Sequence, residues 1–441
     1  MSTARASDVA RRLAEGAVSA RDVAEACLDR IAAREEEVRA FVHLSPEYVR
    51  AQADAIDAHR KAGRPLGALH GIPVALKDII DTVDYPTENG TVLDAGRRPS
   101  VDSAIAARLR AAGALVIGKT VTTELAFQYP GPTRNPHNPN HTPGGSSSGS
   151  AAAVADGMVP IAFGTQTVGS MIRPASFCGV VGIKLTHGTV PMTGVLSTAE
   201  PLDTAGVFAL NVADAALALN VCQGHDPADP RTRVIPRADL FAAALEPPPV
   251  TPRIAIIGGP FWEDVSADVR GLFEELENLL GDEADRVSLP EVFGNAFPAH
   301  MQVMKAQFAR NLRNYRERGA EKLSPQMTSA LAEGAKVLAT EYLSGLDWQT
   351  ALRTGLEPIF DRYDVIVTPS AGGEAPPGLE STGDSKYNAL WTFVGAPCAN
   401  IPAGKGTNGL PIGVQLVGRA GEDARLIRNA AWLEHRLSEA G

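Results

Sequence analysis

The chain has 441 residues, 44% hydrophobic and 21% charged, which supplies a large buried core and excludes wholesale disorder. Its net charge of −10 argues against a protein that lives on nucleic-acid phosphates or on an anionic membrane surface. No uncharged apolar run reaches the roughly 18 residues of a spanning helix, and the four cysteines, Cys27, Cys178, Cys222 and Cys398, form no CxxC pair, so reduced thiols in a cytoplasmic protein are expected rather than a zinc site or disulfide framework.

The opening Met1–Asp8 holds no apolar stretch of the kind a secretory signal needs. Residues 7–34 read as two amphipathic helices broken at Gly16. Ser19 and Asp22 form a capping-box-like start, and Val23, Cys27 and Ile31 fall on one face. A helix is expected over 47–62, then a short apolar strand over Ile72–Leu76 that ends at Lys77 and Asp78. Residues 101–112 have helical period and lead into a buried strand, Ala114–Ile117. Residues 130–150 are a long irregular stretch with five prolines and four glycines, a length that inside a compact domain marks function or a linker. A helix over 150–156 and a strand over Val159–Phe163 follow. Residues 226–252 read as a surface connection, Arg253–Gly258 as a fresh strand and 265–280 as a helix. Residues 299–335 read as helical, with Arg310, Arg313, Arg316 and Arg318 on a solvated face. Strands over Val365–Val367 and Ile412–Val417 flank a Gly/Pro/Ser loop at 371–385 that could line a pocket. Alternating helix and strand signals without an internal repeat predict an α/β protein.

Three short motif matches fail on context. Gly113–Thr120 satisfies the P-loop pattern, but its intervening Ala114, Leu115, Val116 and Ile117 should be strand rather than a phosphate-wrapping nest. Gly145–Gly149 matches the nucleophile elbow around Ser147, but no strand precedes it. His137 and His141 are four apart among prolines, so no helix presents them to a metal. There remains the Gly/Ser tract Gly144–Ser150, followed by Gly164–Pro174 (GTQTVGSMIRP). A Gly/Ser run is most often a linker, yet this one has no domain break around it, and small side chains let backbone approach a ligand closely. No histidine stands beside it, so a serine nucleophile would need another base. A buried, neutral lysine is the known substitute, and Lys77, closing an apolar run, has that setting.

These motifs, with Phe177–Lys184 and Leu410–Gly418, closely resemble the amidase signature family, and most nearly its small stand-alone bacterial amidases with a GTQTxGSxIRP motif. The resemblance covers nearly the whole chain, 1–441, most tightly about 65–207, with a more variable helical region about 290–350. It implies a single large domain with a mixed sheet flanked by helices, and hydrolysis of a carbon–nitrogen amide bond through a serine acyl-enzyme. It also implies a Ser–cis-Ser–Lys triad: Ser170 as nucleophile, Ser146 after a cis peptide bond as bridge, and Lys77 as base. The oxyanion would meet backbone N–H groups of Thr167, Val168, Gly169 and Ser170. Substrate would touch Gly145, Ser147, Arg173 and Gln128. Bringing a lysine from about 10.4 to roughly 7 takes about 4–5 kcal/mol of differential destabilisation of its charged form. No metal or other cofactor is implied. The implied partner is a small amide or carbamate substrate, and a homodimer is left open.

Three positions depart from the family pattern. Val168 stands where glycine is common. Either positive φ is not needed there, or the pocket is narrowed. Gln166 replaces the usual Asp. Arg173 comes third after the nucleophile, whereas the commonest register puts arginine second. It could hold a substrate carboxylate bidentately or brace the loop around Pro174, and the two readings are even. Three other functions share the motifs: a carbamate, urea-type or ester hydrolase, an A-type component of an amidotransferase, and a non-catalytic binding relative, which would normally have lost a triad residue.

Overall fold

The computed structural model describes residues 5–440. Met1–Ala4, on which part of the signal-segment reading rests, lie outside the described residues. Eleven strands among them form one mixed sheet: β1 (Phe41–Leu44), β2 (Pro73–Lys77), β3 (Leu115–Thr120), β4 (Ile161–Gln166), β5 (Val181–Lys184), β6 (Thr204–Ala209), β7 (Ile254–Ile256), β8 (Ala284–Arg286), β9 (Val365–Pro369), β10 (Cys398–Lys405) and β11 (Pro411–Val417). The order across the sheet is β1-β3-β2-β4-β6-β5-β10-β11-β9-β7-β8. β2 runs parallel to both β3 and β4, and β7 runs parallel to β8 and β9. The other pairings are antiparallel.

Every residue of β2, β3 and β4 is buried, as strands covered on both faces require, and their sequences are accordingly apolar runs without polar alternation. Helices do the covering. Ala20–Val38 starts at the expected capping box of Ser19 and Asp22. Gly16, at φ +73°, separates it from Ala6–Ala14. Helix Ser148–Ala155, small-residue throughout, packs on β2, β3 and β4 at once.

One expectation needs correction, and one is borne out in finer detail. The connection at 226–252 contains a short helix, Leu240–Leu245, capped by Asp239 and anchored by buried Leu240 and Ala243. Residues 299–335 form parts of three helices, Ala296–Asn311, Arg313–Gly319 and Pro325–Gly334. Arg310 and Arg313 do lie on a solvated face, in exposed ion pairs with Glu200 and Glu317. Among the described residues no helix is long and apolar enough to cross a membrane.

Candidate active site

β2 and β4 are parallel neighbours, so both deliver their carboxyl ends to the same edge of the sheet, the usual place for a ligand in an α/β fold. β2 ends at Lys77. Its side chain is fully buried, and Nζ lies 2.7 Å from Ser146 Oγ and 3.0 Å from Thr165 Oγ1. Burial brings the ammonium down to about 7, against the opposing charge of Asp203. A neutral amine keeps two N–H groups and one lone pair, so the short contact to Ser146 can carry a proton in either direction.

The Gly/Ser tract is a built loop and not a linker. Ser147 Oγ bonds the backbone oxygen and amide of Thr165 at 3.1 and 3.2 Å. Ser148 Oγ donates to Gly144 O, and Ser150 Oγ donates to Phe163 O. The hydroxyl of Ser146 faces the amine of Lys77 instead. The Gly145–Ser146 peptide is cis. Gly144 has φ +82°, and a Cβ there would lie 2.8 Å from Pro174 Cα, so the tract packs directly on the segment that carries Ser170.

That segment is a turn between β4 and helix Ile172–Cys178. Gln166 pins it from within: Oε1 accepts from the amides of Met171 and Ile172 at 2.8 and 3.1 Å, and Nε2 donates to Thr392 Oγ1. Thr392 Oγ1 in turn donates to Val168 O at 2.6 Å. An Asp at 166 could accept but not donate, so the glutamine adds a tie that the usual residue lacks. Val168 is not among the positive-φ residues, which resolves the first departure: its backbone needs no glycine. Gly169 does need to be glycine, because a Cβ there would lie 2.3 Å from Asn388 Oδ1. Among the described residues, the amides of Val168, Gly169 and Ser170 reach no protein acceptor, uncommon for backbone so nearly buried.

Ser170 opens into a cavity of about 410 Å³ that also meets Thr167, Val168, Arg173 and Gln128. One wall is apolar, from Phe127 and from Phe297, Met301, Met304 and Phe308 of helix Ala296–Asn311. A polar strap, 380–385, within the loop expected to line a pocket, also lines it. Arg173 is 4% exposed. Its Nη2 donates to Gly145 O at 2.6 Å and to Thr382 Oγ1 at 3.1 Å, while its Nε is buried without a partner. Burial lowers this guanidinium to about 10, opposed by Asp384. Arg173 therefore braces the peptide before Ser146 while lining the cavity. No hydrogen bond joins Ser146 to Ser170 among the described residues.

The sequence-derived residues thus fall into groups. Lys77 and Ser146 are hydrogen-bonded, and Thr167, Val168, Ser170, Arg173 and Gln128 line one cavity. Gly145 contributes its carbonyl to Arg173, Gly169 packs on Asn388, and Ser147 lies behind the tract, committed to Thr165. Thr165, Asp203, Asn388 and Thr392 were not anticipated. Thr165 lies inside the recognised motif and could have been found. The others sit in segments with no local signature. Lys119 of the P-loop match is a fully buried residue of β3, 3.6 Å from Asp78. His137 and His141 each bond a separate backbone carbonyl, of Cys178 and Ala375. A second cavity of about 450 Å³, beside Trp262, Arg286 and Phe293, contains none of these residues.

Comparison with known proteins shows what this chain is similar to. The Amidase family model matches residues 22–427. The chain is 34% identical to the A component of the glutamyl-tRNA(Gln) amidotransferase of Chloroflexus aurantiacus, over 94% of this chain and 93% of that protein. Among solved structures it resembles one described as a vestigial protein complex bearing on the evolutionary origins of an s-triazine catabolic enzyme, at TM-score 0.92 and 27% identity, covering 99% of each chain. It also resembles native peptide amidase from Stenotrophomonas maltophilia, at TM-score 0.86 and 29% identity, covering 98% of this chain and 97% of that one.

Proposed function

Because the chain belongs to the amidase family, we propose that it hydrolyses a carbon–nitrogen amide bond of a small substrate by serine acylation. The observation that carries this reading is the fully buried Lys77 amine held 2.7 Å from Ser146 Oγ, behind a cavity that Ser170 enters. Serine is a poor nucleophile until its proton is removed as it attacks. Ser170 Oγ bonds to the amide carbon while its proton passes to Ser146, and the Ser146 proton passes to the lone pair of Lys77. The carbonyl oxygen takes the negative charge and is met by the unpaired amides of Val168, Gly169 and Ser170, with Thr167 beside them. Removing one donor of this kind typically costs about 3–4 kcal/mol in the barrier. As the tetrahedral adduct collapses, the carbon–nitrogen bond breaks and the amine leaves with the proton returned through Ser146. Water then attacks the acyl-enzyme by the same relay and frees Ser170.

The buried guanidinium of Arg173, which lines the cavity, favours a substrate that carries a carboxylate next to the scissile amide, since a charge-assisted bond to an anion is the strongest it can gain there. Gln128 can hydrogen-bond the remainder of the substrate, and Gly145 and Ser147 shape the backbone beneath it. Four buried, unpaired cysteines fit a reducing compartment such as the cytoplasm. The decisive experiment incubates the purified chain with a panel of amides, carbamates and ureas, measures released amine, and repeats the panel with Ser170→Ala. Amine release that vanishes in Ser170→Ala, with an intact fold by circular dichroism, is expected. Full activity in the variant refutes the reading.

The relatives at 34% identity favour one other reading, the A component of an amidotransferase that passes ammonia to a second site on partner chains. Turnover of small amides by the isolated chain separates the two. An enzyme active only on glutamine, and only with partners added, would be the transferase.

A further inference from the structure

Asp203 opens the segment that leads into β6, and its carboxylate is buried beside the Ser170 turn. Four donors converge on it. Oδ1 accepts from Thr167 Oγ1 at 2.7 Å and Thr198 Oγ1 at 2.9 Å, and Oδ2 accepts from the amides of Thr198 and Ala199, both at 2.8 Å. A carboxylate has about four lone-pair positions, so all of its capacity is used. Among the described residues no arginine or lysine bonds it, although buried carboxylates usually have a cationic partner. The one hydroxyl among its donors that lines the Ser170 cavity is that of Thr167, the residue from which the unpaired amides of 168–170 depart.

We propose that Asp203 is a positioning residue for amide hydrolysis, fixing the start of the oxyanion segment through Thr167. The inference rests on the reading of Lys77 as base and Ser170 as nucleophile. Asp203 acts on Lys77 through charge alone, since the two share no hydrogen bond, and that charge opposes the effect of burial. Nearby charges have other partners. Asp78 and Lys119 pair with each other, and helix Ser148–Ala155, packed on β2, has no titratable side chain. Arg173 bonds Gly145 O and Thr382. One residue thus joins the two halves of the chemistry: where the oxyanion forms and when the base is free.

The test compares pH profiles of kcat/KM for the wild type, Asp203→Asn and Thr167→Val. Asp203→Asn keeps the shape, removes the charge and disturbs the Thr167 bond. It is expected to lower kcat, by up to about 10²-fold for a misplaced reacting geometry, with little change in KM, and to move the acid limb to lower pH. Thr167→Val removes the bond and keeps the charge, so kcat should fall while the limb stays in place. A purely structural role would lower the amount of folded enzyme without moving the limb. Asp203→Asn with an unmoved limb and wild-type kcat overturns the proposal. If that variant does not fold, an undiminished kcat in Thr167→Val overturns it alone. If the wild type itself shows no acid limb, or Ser170→Ala stays active, the underlying reading fails instead.

Discussion

Replacing Lys77 by methionine tests the buried amine through stability as well as rate. The side chain is fully buried and its ammonium is brought from 10.5 to about 7. That difference corresponds to about 5 kcal/mol disfavouring the charged form in the folded state. The folded chain therefore binds fewer protons than the unfolded chain between pH 7 and 10.5, and wild-type stability must rise with pH across that window. Below pH 7 the penalty is present in full, and as pH approaches 10.5 it disappears. With these two values, the wild type should gain about 3 kcal/mol relative to Lys77→Met between pH 6 and pH 9. Against this, the variant loses the bonds to Ser146 and Thr165, each worth about 1 kcal/mol at any pH. Urea unfolding of both proteins at pH 6, 7, 8 and 9 measures the difference. The kcat/KM profile of the wild type gives the kinetic counterpart: an acid limb falling about tenfold by pH 6 and levelling above 7. A stability difference independent of pH, together with a flat rate profile from pH 5 to 9, would refute the assignment of Lys77 as a neutral base.

Two further outcomes are expected. Arg173→Ala removes both the buried guanidinium that lines the cavity and the brace on Gly145. KM should rise selectively for substrates with a carboxylate, and kcat should fall for all substrates, and equal KM changes on acidic and neutral amides would leave only the brace. Gly169→Ala forces a methyl group to within 2.3 Å of Asn388 Oδ1. Asn388 is held by Ser370 O and Gln415 Oε1, so it cannot yield freely. A loss of about 2–4 kcal/mol in urea unfolding is expected from overpacking and a displaced bond, and an unperturbed protein would show that the turn has room to move.

Much of the site was readable from residues alone because its parts are local. An apolar run ending in a lysine gave β2 and a buried amine, and two Gly/Ser motifs gave the turns that carry Ser146 and Ser170. Val168 was ambiguous because the sequence records the side chain but not φ. What lay beyond reach depends on pairing between distant segments. β5 and β6 each contain a glycine, are short, and take their burial from the strands beside them. β10 carries Pro402 near its exposed end, a residue that argues against a strand until its irregular register with β11 is known. Helix Ala339–Phe360 holds an internal Pro358, which weakens its signal. Asp203 is one acidic residue among many, and only the convergence of four donors distinguishes it.

The strand order divides the labour of the molecule. β1 to β6 occupy one contiguous side of the sheet and β7 to β11 the other, meeting where β5 pairs with β10. Lys77, Ser146 and Ser170 all come from the first side. Helix Ala296–Asn311 and the strap at 380–385 belong to the second. A lineage could rewrite that one helix, and with it the menu of molecules admitted, while handing down the bond-breaking apparatus unaltered.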